Sequence, residues 1–282
     1  MKFTRDKAKH LAQLTVSDVD GLIVELDKLR YTVGGDWAKY GAILSTWIKN
    51  GMIDEAPFTI FAKGNIKLPF YSFSALSLAT CPAKGPCAKY CYSLKGWRYP
   101  CVLFRQIQNT LLIKTQSLLL IDAWLALPKS IFVRLYVDGD IDSIDTLKFW
   151  FGLLEQRKDI QAYGYSKSFH LFRLYADLGL PFPSNYKLNL SSGSIYTKKL
   201  LHDIPIVRGD FIAVPIAKEF STIPNSTKYS DKGYINAVRE SGKKLGIERA
   251  FICTGKCGSC TKKGHACGLD SFKDVPILIG IH

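Results

Sequence analysis

Apolar residues recur along this chain at two spacings, and each change of spacing marks an element. Across residues 36–50 (DWAKYGAILSTWIKN), Trp37, Tyr40, Leu44, Trp47 and Ile48 follow a helical period. Asp36 is placed to cap the start of that helix and Gly51 to end it. Residues 18–30 (DVDGLIVELDKLR) predict a helix before it, with YTVGG as the turn between. Two short helices around a glycine turn outline a helix-turn-helix, but also an ordinary packing pair.

Further along, FYSFSALS (70–77) precedes one long helix over 102–127, stopped by Pro128. From residue 131 strands and helices alternate. IFVRLYV (131–137) reads as a strand, followed by a helix over 143–158 with Ser143 as cap and Ile144, Leu147, Phe151 and Leu154 on one face. IQAYGYS (160–166) is the next strand, FHLFRLYADLG (169–179) the next helix, and YKLNLS (186–191) and FIAVPIA (211–217) are further strands. A helix over 232–245 leads into RAFIC (249–253), and PILIGI (276–281) closes the chain. Such alternation implies right-handed crossovers and a mostly parallel sheet. The predicted fold is therefore α/β: an incomplete (βα) barrel or an open, mostly parallel sheet, with N-terminal helices and cysteine-rich metal-binding loops. Residues 1–55 make the N-terminal helical segment and 56–282 the α/β metal-binding domain. Neither GxGxxG nor GxxxxGK[ST] occurs, so nothing points to a dinucleotide or nucleoside-triphosphate site.

Composition changes this picture in two ways. With 47% hydrophobic residues over 282 positions the chain can bury a substantial core, and 16 Phe, 14 Tyr and 5 Trp argue against disorder. The opening MKFTRDKAKHLAQ lacks the apolar run of a signal peptide, and LLLIDAWLAL (118–127) is too short to span a bilayer. A cytoplasmic protein with no membrane partner is expected, where clustered cysteines suggest metal rather than disulfides. The formal charge is +14, and it is uneven. Lys and Arg stand against Asp and Glu as 8 to 8 over 1–55, 13 to 7 over 56–159 and 17 to 9 over 160–282. The excess lies with the cysteines. It suits nucleic acid as a partner, or compensation of thiolate charge.

The 8 cysteines fall into two groups. The later one, Cys253-x3-Cys257-x2-Cys260-x6-Cys267 in CTGKCGSCTKKGHAC, has Gly255, Gly258, Gly264 and Gly268 to fold backbone around a small inorganic centre. Lys256, Lys262 and Lys263 are placed to offset its charge. The earlier one, Cys81-x5-Cys87-x3-Cys91-x9-Cys101, carries Pro82, Gly85 and Pro86 in its first interval. Cys101 also reads as a core thiol, which would leave a three-cysteine site with an open fourth position. Soft thiolates suit Zn²⁺ or an iron–sulfur cluster. Zinc ribbons pair two CxxC knuckles and this chain has one, at Cys257 and Cys260, so one or two [4Fe-4S] clusters are expected, with zinc as the alternative. His265 is a further ligand candidate.

Ligands of such sheets sit at the carboxyl ends of strands. There this chain puts Asp138 and Asp140, Lys167 and Ser168, Ser191 and Ser192, and Lys218 and Glu219. Arg134, Tyr136 and Asp138 are expected on one face, Asp138 serving as partner to a buried Arg134. Asp138-Gly139-Asp140 also reads as a plain strand-to-helix turn. Tyr163 and Tyr165 share a strand face, either to stack on a base or to fill core. The candidate pocket is therefore Arg134, Asp138, Asp140, Tyr163, Tyr165, Lys167, Ser191 and Ser192. No catalytic residue is assigned.

TCPAKGPCAKYCYS, RLYVDGDIDS (134–143), AYGYSKS (162–168) and NLSSGS (189–194) resemble the gene product 88-like proteins of phages, plasmids and other mobile elements. The resemblance runs from about residue 65 to the C-terminus, leaving out the helical segment before residue 55. It implies an association with mobile DNA and cysteine-rich metal binding. Cys81, Cys87, Cys91, Arg134, Asp138, Asp140, Lys167 and Ser191 match the family's recurring positions. A wider likeness is to radical S-adenosylmethionine barrels, whose ligand spacing Cys253, Cys257 and Cys260 share, although Ser259 stands where those proteins carry an aromatic. The expected function is an iron–sulfur protein of a mobile element that binds nucleic acid in replication, transfer or regulation, with Lys256, Lys262 and Lys263 among the contacts. The alternatives are a radical S-adenosylmethionine-like enzyme and a zinc-stabilised interaction protein.

Overall fold

The computed structural model describes residues 2–65, 68–221, 231–255, 257–258, 260–262 and 264–281. Three helices come first: α1 (Arg5–Ser17), α2 (Val19–Thr32) and α3 (Gly35–Lys49). Asp18 ends α1 and caps α2, its carboxylate accepting from Gly21 N at 2.9 Å. Helix α1 escapes the apolar pattern because its buried stripe is Ala8, Leu11, Ala12 and Thr15, mostly small side chains. The expected cap of α3 is corrected: Gly34 holds the cap position and Asp36 lies inside the first turn. Gly51 does follow the helix, in the left-handed region at φ 76°.

The sheet has seven strands: β1 (Tyr71–Ser72), β2 (Phe132–Leu135), β3 (Gln161–Ser166), β4 (Tyr186–Ser191), β5 (Val207–Pro215), β6 (Phe251–Ile252) and β7 (Ile277–Ile281). Their order is β1-β2-β3-β4-β5-β7-β6, and every pairing between them is parallel. From β1 to β5 the chain steps one way without reversal. Right-handed crossovers then all fall on one face, as in an incomplete barrel.

Strand alternation divides the side chains between two cores. Val133, Leu135, Ala162, Tyr186 and Leu188 pack outward under α7 (Ile144–Gln156) and α8 (Phe169–Asp177), against Leu147, Trp150, Phe151 and Phe172. Ile212, Val214 and Leu278 pack against Tyr234 and Val238 of α9 (Lys232–Lys243). The inner face turns Tyr163, Tyr165, Phe211 and Ile277 toward Cys253, Cys260, Ala266 and Cys267. A segment of the β6–β7 connection therefore lies across the inside of the sheet, where a closed barrel would have its own core.

Two elements depart from the pattern. The long helix predicted over 102–127 is two, α5 (Pro100–Lys114) and α6 (Leu118–Leu125), with a short α4 (Ser93–Gly96) ahead of them. Gln116 turns to φ 49° between them and Ser117 caps α6 through Leu119 N. Strand β2 stops at Leu135 because Tyr136 takes φ 56°, which ends the alternation there.

Candidate functional site at the carboxyl edge of the sheet

The chain leaving β2 is tied down by two carboxylates, Asp140 buried and Asp138 half-buried. Asp140 accepts from Ser166 Oγ (2.7 Å), Lys167 N (2.8 Å) and Ile141 N (2.8 Å), which joins the exits of β2 and β3. Asp138 accepts from Ser93 Oγ and from Gln106 Nε2 (2.9 Å), and Gln106 accepts from Trp97 Nε1 (2.8 Å). Burial pushes both carboxyls above their usual range; Ser93 pulls Asp138 back, and Lys167 and Ser166 do so for Asp140. Gly139 between them, at φ 82°, has Thr80 Oγ1 and Ala75 O where a Cβ would stand. The Asp-Gly-Asp sequence is thus a rigid turn with both acids engaged inside it.

Lys167 Nζ donates to Ser191 Oγ at 2.8 Å, joining the ends of β3 and β4. Ser192 accepts from Ala213 N (2.9 Å) and joins β4 to β5. Ser168 donates to Ile141 O at 2.7 Å. Asp138, Asp140, Lys167, Ser168, Ser191 and Ser192 are thus brought to one edge, largely as its cross-links, whereas Lys218 and Glu219 stand in a short 3-10 turn after β5.

Above them lies the first cysteine loop. Gly85 N donates to Gly193 O (2.9 Å), Ile195 N to Ala83 O (3.2 Å) and the Cys87 thiol to Gly193 O (3.6 Å), so residues 81–87 lie over the loop after β4. Gly193 fits only as glycine, at φ 85° with the Cys87 Cβ 2.9 Å from where its own would stand. Tyr92 donates its hydroxyl inward to Val137 O while the side chain stays 60% exposed.

The inner face corrects the reading of Arg134. Tyr136 does not share its side: its hydroxyl accepts from Trp150 Nε1 (3.0 Å) in the outer core. Asp138 forms no ion pair with Arg134; its oxygens are held by Ser93 and Gln106. The guanidinium instead lies 4.6 Å over the Tyr165 ring. Its register neighbour Tyr163 is 1% exposed and packs against His265, ring centroids 4.6 Å apart. Tyr165 packs on Phe211 at 4.5 Å. Both tyrosines fill core. His265, 2% exposed among Phe70, Phe132 and Tyr163, is pushed down to about 4 by burial and is uncharged at neutral pH.

The expected metal centres are corrected. Among the described residues no group of three or more His, Cys, Asp or Glu is arranged to hold a metal ion, and all eight cysteines are free. This overturns the [4Fe-4S] clusters at Cys81, Cys87, Cys91 and Cys101 and at Cys253, Cys257, Cys260 and Cys267, and the zinc alternative with them. Burial pushes the thiols of Cys81 and Cys253 up to about 12 and that of Cys267 up to about 11, so these sulfurs stay protonated. Cys267 packs with Tyr163, Ala266 and Ile277, while Cys101 is exposed at the start of α5. Lys262 is exposed beside the second group; Lys256 and Lys263 lie outside the described residues.

Sequence reasoning missed the anchors of this loop. Asn189 Nδ2 donates to Gly164 O (3.1 Å) and Cys267 O (3.0 Å), and its Oδ1 accepts from Arg208 Nε (2.8 Å). Arg208, 1% exposed, donates on to Phe272, Val275 and Asp210 carbonyls. A polar residue at an inward strand position is the only sequence signal either carries.

The molecule is an open parallel sheet with N-terminal helices and a chain segment laid across its inner face, an architecture consistent with an incomplete barrel. The chain belongs to the Gene product 88 family of phage and mobile-element proteins, whose model matches residues 46–268. That match begins inside α3, earlier than the resemblance read from the motifs, and ends in the second cysteine loop. No curated protein and no solved structure matches. Among the described residues no helix is long and apolar enough to cross a membrane.

Proposed function

We propose that this protein binds single-stranded nucleic acid for its mobile element, across the carboxyl edge of the sheet. One observation carries the reading. Between residues 81 and 105 there are five Lys and Arg and no Asp or Glu. Lys84, Lys89, Lys95 and Arg98 are exposed there, interleaved with exposed Tyr90, Tyr92 and Tyr99. Cations that track a backbone, with aromatic faces between them on which bases stack, are the chemistry of strand binding without sequence preference. The second cysteine loop adds three lysines and no acid between 253 and 269. The radical S-adenosylmethionine and zinc readings each need a metal donor set, and neither is carried forward.

Fluorescence anisotropy with a labelled oligothymidylate tests the reading. Four phosphate contacts give a plot of log affinity against log salt with slope about −3. Replacing Lys84, Lys89, Lys95 and Arg98 together with Gln flattens that slope toward zero. Absence of binding at low salt by the wild-type chain contradicts the proposal.

A further inference from the structure

Cys257 and Cys260 make the CxxC of this chain, Cys-Gly-Ser-Cys, a spacing that closes a small disulfide loop. Of the four cysteines here, Cys253, Cys260 and Cys267 pack in or against the inner core cluster, and burial pushes all three thiols up. The Cys260 thiol is held on both sides, accepting from Ala266 N (3.3 Å) and donating to Gly264 O (3.7 Å). Cys257, half-exposed, has other neighbours. The Tyr163 phenol is hydrogen-bonded to its sulfur. Arg134, whose buried Nε has no acceptor, is the cation beside it: burial works against the guanidinium charge, and Tyr165, Tyr92, Tyr163 and the Cys257 sulfur favour it. Asp138 is committed to Ser93 and Gln106, so a sulfur anion at 257 is the partner this arginine lacks. Gly258, at φ 83° with Pro69 Cγ 2.7 Å from where a Cβ would stand, turns the chain directly after Cys257.

We propose that Cys257 and Cys260 form a redox-active dithiol, Cys257 exchanging with a low-molecular-weight disulfide and Cys260 resolving the mixed disulfide. This is independent of the nucleic-acid reading. It is the sulfur anion that attacks a disulfide, and a buried cation with a phenol donor is the setting that favours one. The Cys257 anion attacks one sulfur of the small disulfide, whose S–S bond breaks, and the first thiol leaves and takes up a proton. Cys260 gives its proton to solvent and attacks Cys257 Sγ, and the second thiol leaves. Two protein thiols have then given two electrons and two protons to the small disulfide, which ends as two thiols.

The test uses the full chain without nucleic acid, equilibrated against a series of glutathione to glutathione disulfide ratios, quenched in acid and alkylated. Trypsin cuts after Lys256 and Lys262 and releases residues 257–262, a peptide whose only cysteines are these two. As the ratio becomes oxidising, the peptide passes from doubly alkylated to unalkylated and lighter by two hydrogens than its free dithiol, and dithiothreitol reverses the change. Cys260→Ser traps about tenfold more glutathione on Cys257 than Cys257→Ser traps on Cys260. Tyr163→Phe still forms the disulfide but slows alkylation of Cys257 severalfold with Cys101 unchanged, a difference that packing alone would not produce. The wild-type series decides even where a variant fails to fold. A peptide doubly alkylated at every ratio overturns the proposal, as does a disulfide joining either cysteine to Cys253 or Cys267. Equal trapping on the two serine variants overturns the order of attack.

Discussion

Gly164 sits in the middle of β3, where a Cβ would stand 2.4 Å from Tyr186 Oη and 3.2 Å from Leu135 O. Both belong to the packed outer core, so neither has room to retreat. Gly164→Ala is expected to lower stability by about 1–3 kcal/mol in chemical denaturation. Asp140 presents the opposite problem, a fixed set of donors. Its Oδ2 accepts from Lys167 N, a backbone group that cannot reverse its role. Asp140→Asn sets an amide N–H₂ against a donor, with an expected loss of about 1–3 kcal/mol in the same assay. The charge is not what matters most there: burial already works against it. Residues of this kind were legible as candidates, since acids after a strand suggest a site. The plain turn at Asp138-Gly139-Asp140 was legible as well, but the partners that commit both acids were not, because Ser93, Gln106 and Ser166 reach them from elsewhere in the chain.

Among elements, α1 and α2 are joined by Glu25, which accepts from Lys7 Nζ (2.7 Å) and Lys28 Nζ (2.8 Å). Lys28 and then Lys7 hold its carboxyl down, at about 2 against an ordinary 4.5. The folded chain keeps this carboxylate ionised where the unfolded chain takes up a proton. The stabilisation is therefore complete above pH 4.5 and is lost as pH falls from there through about 2. Glu25→Gln should be less stable than the wild type at pH 6, and the two should converge near the acid limit of a denaturation series. A gap that stays constant with pH would contradict this assignment. Periodicity found α2, α3 and most of the strand–helix alternation, because large apolar side chains define those faces. It missed the break between α5 and α6, since neither Gln116 nor Ser117 is a breaker by type and the apolar run continues across them. It overextended β2 as well, because Tyr136 keeps its apolar role while changing face.

At the scale of the molecule, the sheet steps one way from β1 to β5, and its inner face is covered by something other than a crossover helix. Here the second cysteine loop does so, held by Asn189 and Arg208. The expectation of metal came from the spacing of the cysteines. Spacing along a chain reports what could be gathered and says nothing of burial, which here turns Cys253 and Cys267 into protonated core thiols. The charge count placed the basic excess with the cysteines and did not pick out Lys84, Lys89, Lys95 and Arg98, whose exposure only the fold gives. The fold adds that residues 81–87 lie over the loop after β4. Ultraviolet crosslinking of a bromodeoxyuridine-substituted single strand, with the attached peptides read by mass spectrometry, tests that account most directly. Crosslinks are expected at Tyr90, Tyr92 or Tyr99 and within residues 253–269. Crosslinks confined to α1–α3, with the tyrosine-bearing rim unmarked, would contradict it.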